Sequence, residues 1–313
     1  MKAFQVTAPG EARVVEMASR PLKAAEARVK VVAAGINYLD LQGWTGGVGP
    51  QEYPWIPGGE GSGVVVETGA HAIGVAVGDR VCWQGVLGSY ADEVVAPADR
   101  LIPIPEHLTF DEAAAVLLQG LTAQYLSADA YRIRPKDLVV VHAGAGGVGM
   151  LLTGFAKSMG ATVITTVSTD AKAMLSLEAG ADESVPYADL VEIAKLRAAA
   201  VYDSVGLATF EQSLCCLALR GTLVLYGQSS GAVPPFDLGR LGPAGSLIVT
   251  RPTLRHFVRS RAELLARADD LFSRVARSEV RIRFGGVYPL AEAPQVLDAL
   301  RSRFTTGKLI LQP

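Results

Sequence analysis

Between Leu138 and Met159 the chain sets a strand, a glycine-rich turn and a helix in immediate succession, and no other segment constrains the fold as tightly. Leu138-Val139-Val140-Val141 is a continuous apolar run, the composition of a strand buried on both faces of a parallel sheet. Gly144-Ala145-Gly146-Gly147-Val148-Gly149 then fits G-x-G-x-x-G. Beyond it, Val148, Leu151, Leu152, Phe155, Ala156 and Met159 fall at i, i+3, i+4, i+7, i+8 and i+11, which draws one apolar stripe along a helix that Gly160 ends. The glycine pattern alone is weak, but its place between a buried strand and an amphipathic helix gives it meaning. Gly144 allows the tight turn and Gly146 lets the backbone close on a pyrophosphate. Gly149 lets the helix pack on the strand, so that N–H groups at the helix start, those of Gly147 and Val148, face phosphates. No Gly-Lys-Ser/Thr follows, which excludes a P-loop. The turn is expected to bind a dinucleotide.

The end of the next strand selects among dinucleotides. An acidic residue there would grip the adenosine ribose hydroxyls, but Val167 is followed by Ser168-Thr169-Asp170-Ala171-Lys172. Ser168 is small and neutral, and Lys172 sits one helical turn on. A 2′-phosphate needs donors and positive charge at that spot, so NADP(H) is expected. Asp170 reads equally well as a helix N-cap or as a first-turn residue.

The same texture continues on both sides of the turn. Strands at Thr162–Val167, Glu183–Val185, Ala200–Asp203 and Thr222–Tyr226 alternate with helices from about Asp170, near Asp189–Ala199 and near Glu211–Leu219. Repeated βα units predict an α/β fold with a doubly wound parallel sheet of the Rossmann type. The first ~115 residues read as strands and turns, with Val29–Ala34, Gly63–Glu67 and Val94-Val95 in strand-forming segments, until a helix at Phe110–Leu126. The tail reads as helices at Arg261–Arg277 and Glu292–Arg303, then a strand at Lys308–Leu311. With 313 residues and ~150 per domain as the usual size, two domains are expected.

Half the residues are hydrophobic and 19% are charged, too apolar a mixture for disorder. Lys and Arg number 29 against 31 Asp and Glu, a net charge of −2 that gives no electrostatic reason to bind nucleic acid or an anionic membrane. The N-terminus lacks the layout of a signal peptide and no window approaches ~18 consecutive apolar residues, so a cytoplasmic protein without a membrane span is expected. Four histidines (His71, His107, His142, His256) and three cysteines (Cys82, Cys215, Cys216) form no metal-ligand spacing.

Several further pieces accompany the turn: Gly35-Ile36-Asn37-Tyr38-Leu39-Asp40, Pro57-Gly58-Gly59-Glu60-Gly61-Ser62-Gly63, Gly78-Asp79-Arg80-Val81, Gly88-Ser89-Tyr90-Ala91 and Gln119-Gly120-Leu121-Thr122-Ala123. Later come Tyr202-Asp203-Ser204-Val205-Gly206, Tyr226-Gly227-Gln228-Ser229-Ser230-Gly231, Val249-Thr250-Arg251-Pro252 and Thr306-Gly307-Lys308. In this order, over essentially the whole chain, they resemble the zinc-free quinone oxidoreductase, or ζ-crystallin-like, branch of the medium-chain dehydrogenase/reductases. The resemblance implies a GroES-like, mainly-β catalytic domain begun by 1–118, a Rossmann NADP(H)-binding domain at 119–255 and a segment, 256–313, that returns to the catalytic domain. It also implies an active site in the cleft and a homodimer joined through the Rossmann domains. Zinc-dependent relatives place a cysteine ligand at Asn37 and a histidine ligand at Gly59, so no metal is expected.

Without a Lewis acid, hydride must go to an acceptor that is already electrophilic, such as a quinone or an activated enone. By resemblance, Asn37 stands beside the nicotinamide and holds the substrate or the ring, and Thr122 contacts the nicotinamide side of the cofactor. Gly227, Gln228 and Ser229 line the carboxamide and ribose region, while Lys172, Tyr187 and Arg303 join Ser168 around the 2′-phosphate. Two tyrosines that relatives place over the quinone align with Gln42 and Val48, and Trp44 stands where they have arginine. The pocket is therefore expected to use Tyr38, Gln42 and Trp44, with Tyr53 or water as the proton source. The expected activity is NADPH-dependent reduction of quinones. An enone or double-bond reductase is the first alternative, and a non-catalytic NADPH-binding protein the second.

Overall fold

The computed structural model describes residues 1–47, 52–302 and 305–313. The chain divides into two compact units: Met1–Leu118 with Ser260–Phe272 and Ile282–Pro313, and Gln119–Arg259 with Ser273–Arg281. Within the tail, therefore, Ser273–Arg281 goes with the second unit. A Cβ on Gly154 would lie 2.9 Å from the Glu279 carbonyl oxygen, and Arg274 Nη1 donates to Ser158 Oγ at 3.0 Å.

In the first unit, β1 (Lys2–Ala8) and β2 (Glu11–Glu16) form an antiparallel ribbon. β3 (Glu26–Ile36) is the hub of the main sheet, and the short helix α1 (Tyr38–Trp44) follows it. β4 (Glu60–Thr68), β5 (Arg80–Gln84), β6 (Glu93–Pro97), β7 (Ile102–Pro103) and helix α2 (Phe110–Tyr125), whose residues from Gln119 on belong to the second unit, come next. The second unit holds β8 (Leu138–Val141), α3 (Gly147–Ser158), β9 (Thr162–Val167), α4 (Asp170–Glu178), β10 (Glu183–Pro186) and α5 (Leu190–Ala194). It continues with β11 (Ala198–Asp203), α6 (Phe210–Cys216), β12 (Leu217–Leu225) and β13 (Ile248–Thr250). The tail adds α7 (Arg261–Ala276), β14 (Phe284–Pro289), α8 (Ala293–Arg301) and β15 (Lys308–Gln312).

The strand order β10-β9-β8-β11-β12-β13, with every neighbour parallel, is that of a doubly wound sheet. Order reverses beside β8, the strand that feeds the glycine-rich turn. The other sheet runs β14-β15-β3-β4-β5-β7, with β6 also on β3. Val29, Val31, Trp83 and Leu311 of this sheet share one core with Phe4 of β1 and Tyr90 of the β5–β6 connection. The second core gathers Val140, Ile164, Val201, Leu214, Leu223 and their neighbours beneath the parallel sheet.

Two predicted helices are shorter than their sequence suggests. The expected helix over Asp189–Ala199 ends at Ala194, because Leu196 takes a left-handed φ of 55° and Ala198–Ala200 enter β11. Alanine favours helix, but Ala198 and Ala200 are fully buried and pair with β12, and Ala200 also with β8, and this pairing overrides propensity. The helix expected to reach Leu219 likewise stops at Cys216, since Leu217 pairs with Ala198.

Candidate cofactor and active site

The glycine-rich turn is built where the sequence places it. Gly146 is the N-cap of α3 and has no side chain with which to cap it, so the first N–H groups of the helix remain for a ligand. A Cβ on Gly144 would come within 2.5 Å of Ser176 Oγ and Thr165 Cβ, and one on Gly149 within 2.3 Å of the Ala143 carbonyl. Gly146 is different: it is exposed, and its nearest neighbour to a Cβ, Ala143 O, is 3.1 Å away. The cradle thus has glycine on its packed side and on its open side, which fits a pyrophosphate.

Beneath the turn lies a buried polar chain. Asp203, at the end of β11, accepts from Val205 N (2.8 Å), Gly206 N (2.9 Å), Thr209 Oγ1 (2.8 Å) and Ser213 Oγ (2.8 Å). Because Ser213 spends its proton on Asp203, its oxygen accepts from His142 Nε2 at 2.9 Å. The other ring nitrogen, Nδ1, then accepts from Thr166 Oγ1 at 2.8 Å. His142 is therefore the neutral Nε2–H tautomer, and burial, only partly offset by Asp203, depresses its basicity. The Tyr187 ring stacks parallel to it with centroids 5.8 Å apart.

At the ends of β9 and β10, Val167 pairs with Pro186, so Ser168 and Tyr187 leave the sheet at the same level. Lys172 Nζ reaches Ser168 Oγ at 3.4 Å. Thr169 is the N-cap of α4 and accepts from Lys172 N, which makes Asp170 a first-turn residue. Ser168 is exposed and Lys172 half-buried. Gly227 is held so close to Ser204 that a Cβ would lie 2.4 Å from its carbonyl oxygen. Gln228 is exposed, and Ser229 N donates to Ser204 O at 3.1 Å.

In the first unit a second buried polar cluster surrounds Asn37. Lys308 Nζ donates to Asn37 Oδ1 (2.8 Å) and to Glu60 Oε2 (2.5 Å). Asn37 Nδ2 donates to Glu60 Oε2 (3.0 Å) and Gly35 O (3.3 Å). Asp40 closes the start of α1 by accepting from Asn37 N at 2.8 Å, and the same oxygen takes the Tyr90 hydroxyl at 3.1 Å. Among the described residues no group of three His, Cys, Asp or Glu could hold a metal ion.

Residues 23–106 match the model of the alcohol dehydrogenase GroES-like domain, and residues 147–274 that of the zinc-binding dehydrogenases. A quinone oxidoreductase of Pseudomonas aeruginosa is 39% identical over 299 residues, covering 92% of this chain and 91% of its own. The chain belongs to the quinone oxidoreductase branch of the medium-chain dehydrogenase/reductases. The crystal structure of the Escherichia coli quinone oxidoreductase complexed with NADPH superposes on this member of the branch with a TM-score of 0.95, at 36% identity, covering all of both chains. A 2-haloacrylate reductase of Burkholderia is 35% identical over 302 residues, covering 92% of this chain and 91% of its own.

In this quinone oxidoreductase-branch chain the pocket candidates separate. Tyr38 and Tyr53 are partly exposed, and Gln42 is half-buried. Trp44 is committed to the core, its ring 5.7 Å from that of Phe4. Thr122 is half-buried on α2. Val48 and Arg303 lie outside the described residues. Sequence reasoning named Asn37 and missed what holds it. Lys308 and Glu60 are charged residues inside strand segments, which is the available signal, but they lie 248 positions apart. Asp203 and His142, each following a run of buried strand residues, were missed in the same way.

Burial pushes the Asp40 carboxyl up to about 6, against the opposing pull of the Asn37 N–H, the Lys308 ammonium and the Tyr90 hydroxyl. The folded state thus keeps a proton that the unfolded chain releases near pH 4, so this group costs stability as pH rises from about 4 to 6 and the loss is complete above that. His142 acts in the opposite sense, favouring folding as pH rises through the range where a free imidazole deprotonates. Asp40→Asn isolates the first effect. It is expected to be more stable than the parent by up to about 3 kcal/mol at pH 8 and equal to it near pH 4, as read by urea unfolding at both values. An advantage that grew with acidity would contradict this account.

Proposed function

We propose that this protein is an NADPH-dependent reductase of quinones that works without zinc. The observation that carries the reading is the pairing of a neutral Ser168 with Lys172 at the end of β9, in the same sheet as the capless glycine turn. A carboxylate at Ser168 would repel a 2′-phosphate, whereas a hydroxyl and an ammonium attract it. The relatives named above support the activity. Gly144, Gly146, Gly147 and Val148 hold the pyrophosphate, Ser168, Lys172, Tyr187 and Arg303 the 2′-phosphate, and Thr122, Gly227, Gln228 and Ser229 the nicotinamide half. Asn37 adjoins the nicotinamide, and Tyr38, Gln42 and Tyr53 meet the acceptor. Residues 1–118, 260–272 and 282–313 serve as the catalytic domain, and 119–259 with 273–281 as the cofactor domain.

Bound NADPH supplies a hydride, and the acceptor must already be electrophilic because the positions that bind zinc in dehydrogenases hold Asn37 and Gly59. Asn37 is engaged with Glu60 and Lys308, and Gly59 has no side chain to offer. The similarity to a haloacrylate reductase, together with Gln42 in place of a tyrosine, supports activated double bonds as the second acceptor class. A second copy docks along β13, the edge of the parallel sheet, near which Leu219, Leu238 and Ile248 are exposed. The three cysteines are free thiols, in keeping with the reducing cytoplasm. No helix among the described residues is long and apolar enough to cross a membrane.

The assignment of the 2′-phosphate site is tested by Lys172→Ala combined with Ser168→Asp. The ratio of kcat/KM for NADPH over NADH is expected to fall by about 100-fold, roughly 2.7 kcal/mol of lost discrimination. An unchanged ratio places the 2′-phosphate elsewhere.

A further inference from the structure

We propose that Glu60 and Lys308 are positioning residues that fix the polarity of the Asn37 amide, so that Asn37 presents an acceptor, and no donor, to the cofactor. The inference rests on the reading that Asn37 adjoins the nicotinamide.

The arrangement follows from strand register. β15 runs antiparallel to β3 with Leu309 opposite Ile36, which brings Lys308 level with Asn37. β4 lies on the other side of β3 with Gly61 opposite Ala34, which brings Glu60 level with Gly35. Three strands thus converge on one dry point, where Glu60 is fully buried and Lys308 is 2% exposed. Gly35 is required there. A Cβ would stand 2.5 Å from Glu60 Oε2, 2.6 Å from Ala114 O and 2.8 Å from Lys308 Cε.

Neither charge is free to turn away. Glu60 Oε1 accepts from Leu118 N at 2.6 Å, and Oε2 takes both Lys308 and Asn37. A primary amide has two N–H donors and one oxygen with two lone pairs. Both donors of Asn37 are consumed, by Glu60 and by Gly35 O, and one lone pair is consumed by Lys308. A flipped amide would set its NH2 against an ammonium and its oxygen against a carboxylate and a carbonyl, each contact repulsive at low dielectric. What remains to meet a ligand is the second lone pair of Oδ1, which faces the Asp40 N–H of the capping box, an N–H that also donates to the Asn37 carbonyl at 3.0 Å. That lone pair fits a donor on the nicotinamide half, a carboxamide N–H or a ribose hydroxyl. A developing oxyanion would find no proton on this side chain.

The test compares the parent with Asn37→Ala and with the double variant Glu60→Gln/Lys308→Met, which removes both buried charges together and so leaves neither orphaned. NADPH affinity is read by fluorescence titration without acceptor, Tm by thermal unfolding, and kcat and KM with 1,4-benzoquinone. The expected result is an NADPH Kd raised at least about 10-fold in both variants, with a smaller change in kcat at saturating NADPH. A double variant that loses only Tm and keeps the parent's Kd makes the pair merely structural and overturns the proposal. A fall in kcat at unchanged Kd overturns it too, because Asn37 would then be donating to the reacting oxygen. Parent values of both Kd and kcat in Asn37→Ala overturn the underlying placement of Asn37 itself.

Discussion

Asp203→Ala is expected to lower the melting temperature by about 10 °C and to weaken NADPH binding at least about 10-fold, although Asp203 lies beneath the cofactor turn and is fully buried. The substitution strands four donors: the backbone N–H groups of Val205 and Gly206 and the hydroxyls of Thr209 and Ser213. An unsatisfied buried polar group costs ~1–3 kcal/mol, and partial rearrangement leaves about 4 kcal/mol in total. At ~2–4 °C per kcal/mol for a domain of this size, that gives the stated shift. The effect on the cofactor arises because Ser213 loses its anchor, and Ser213 orients His142, which immediately precedes the turn. Asp203→Asn keeps an acceptor for the two backbone N–H groups and is expected to recover more than half of the lost Tm. Calorimetry and NADPH titration of the two variants check both statements. Equal Tm values for parent and alanine variant would contradict the satisfied network described here.

Gly146→Ala is expected to do the reverse, raising the NADPH Kd by about 100-fold, ~2.7 kcal/mol, while leaving Tm within a few degrees of the parent. Its φ of −77° is open to any residue, and an added methyl meets no atom of the chain closer than 3.1 Å. The methyl instead occupies the space through which a pyrophosphate would approach the helix start. Gly149→Ala is the control, because its methyl would stand 2.3 Å from the Ala143 carbonyl and part the helix from the turn. That variant should lose Tm and affinity together. Titration of NADPH against both proteins, with thermal unfolding of each, separates the two roles. An unaltered Kd in Gly146→Ala would remove the turn from the cofactor site.

The parallel-sheet unit was legible because its signals are local. A strand, a turn and an apolar helical stripe adjoin within about 20 residues, and each imposes its own period. The boundaries of the helices before and after β11 were not legible, since Ala198 pairs with Leu217 and Ala200 with both Thr222 of β12 and Val139 of β8. Local propensity carries no record of that pairing. The same holds for the cluster around Asn37. Asn37 stands out in sequence, but the carboxylate and ammonium that orient it arrive from strands 23 residues later and 271 residues later. Only the register of β4, β3 and β15 makes them neighbours.

Acceptor-dependent oxidation of the reduced cofactor, followed at 340 nm with 1,4-benzoquinone and, in parallel, 2-cyclohexenone, decides whether this protein reduces quinones. NADPH should be consumed with the quinone at a rate far above that with NADH, and metal chelators should leave that rate unchanged. Consumption with the enone alone would contradict the quinone assignment in favour of double-bond reduction. Tight NADPH binding with no acceptor reduced would contradict the enzyme itself.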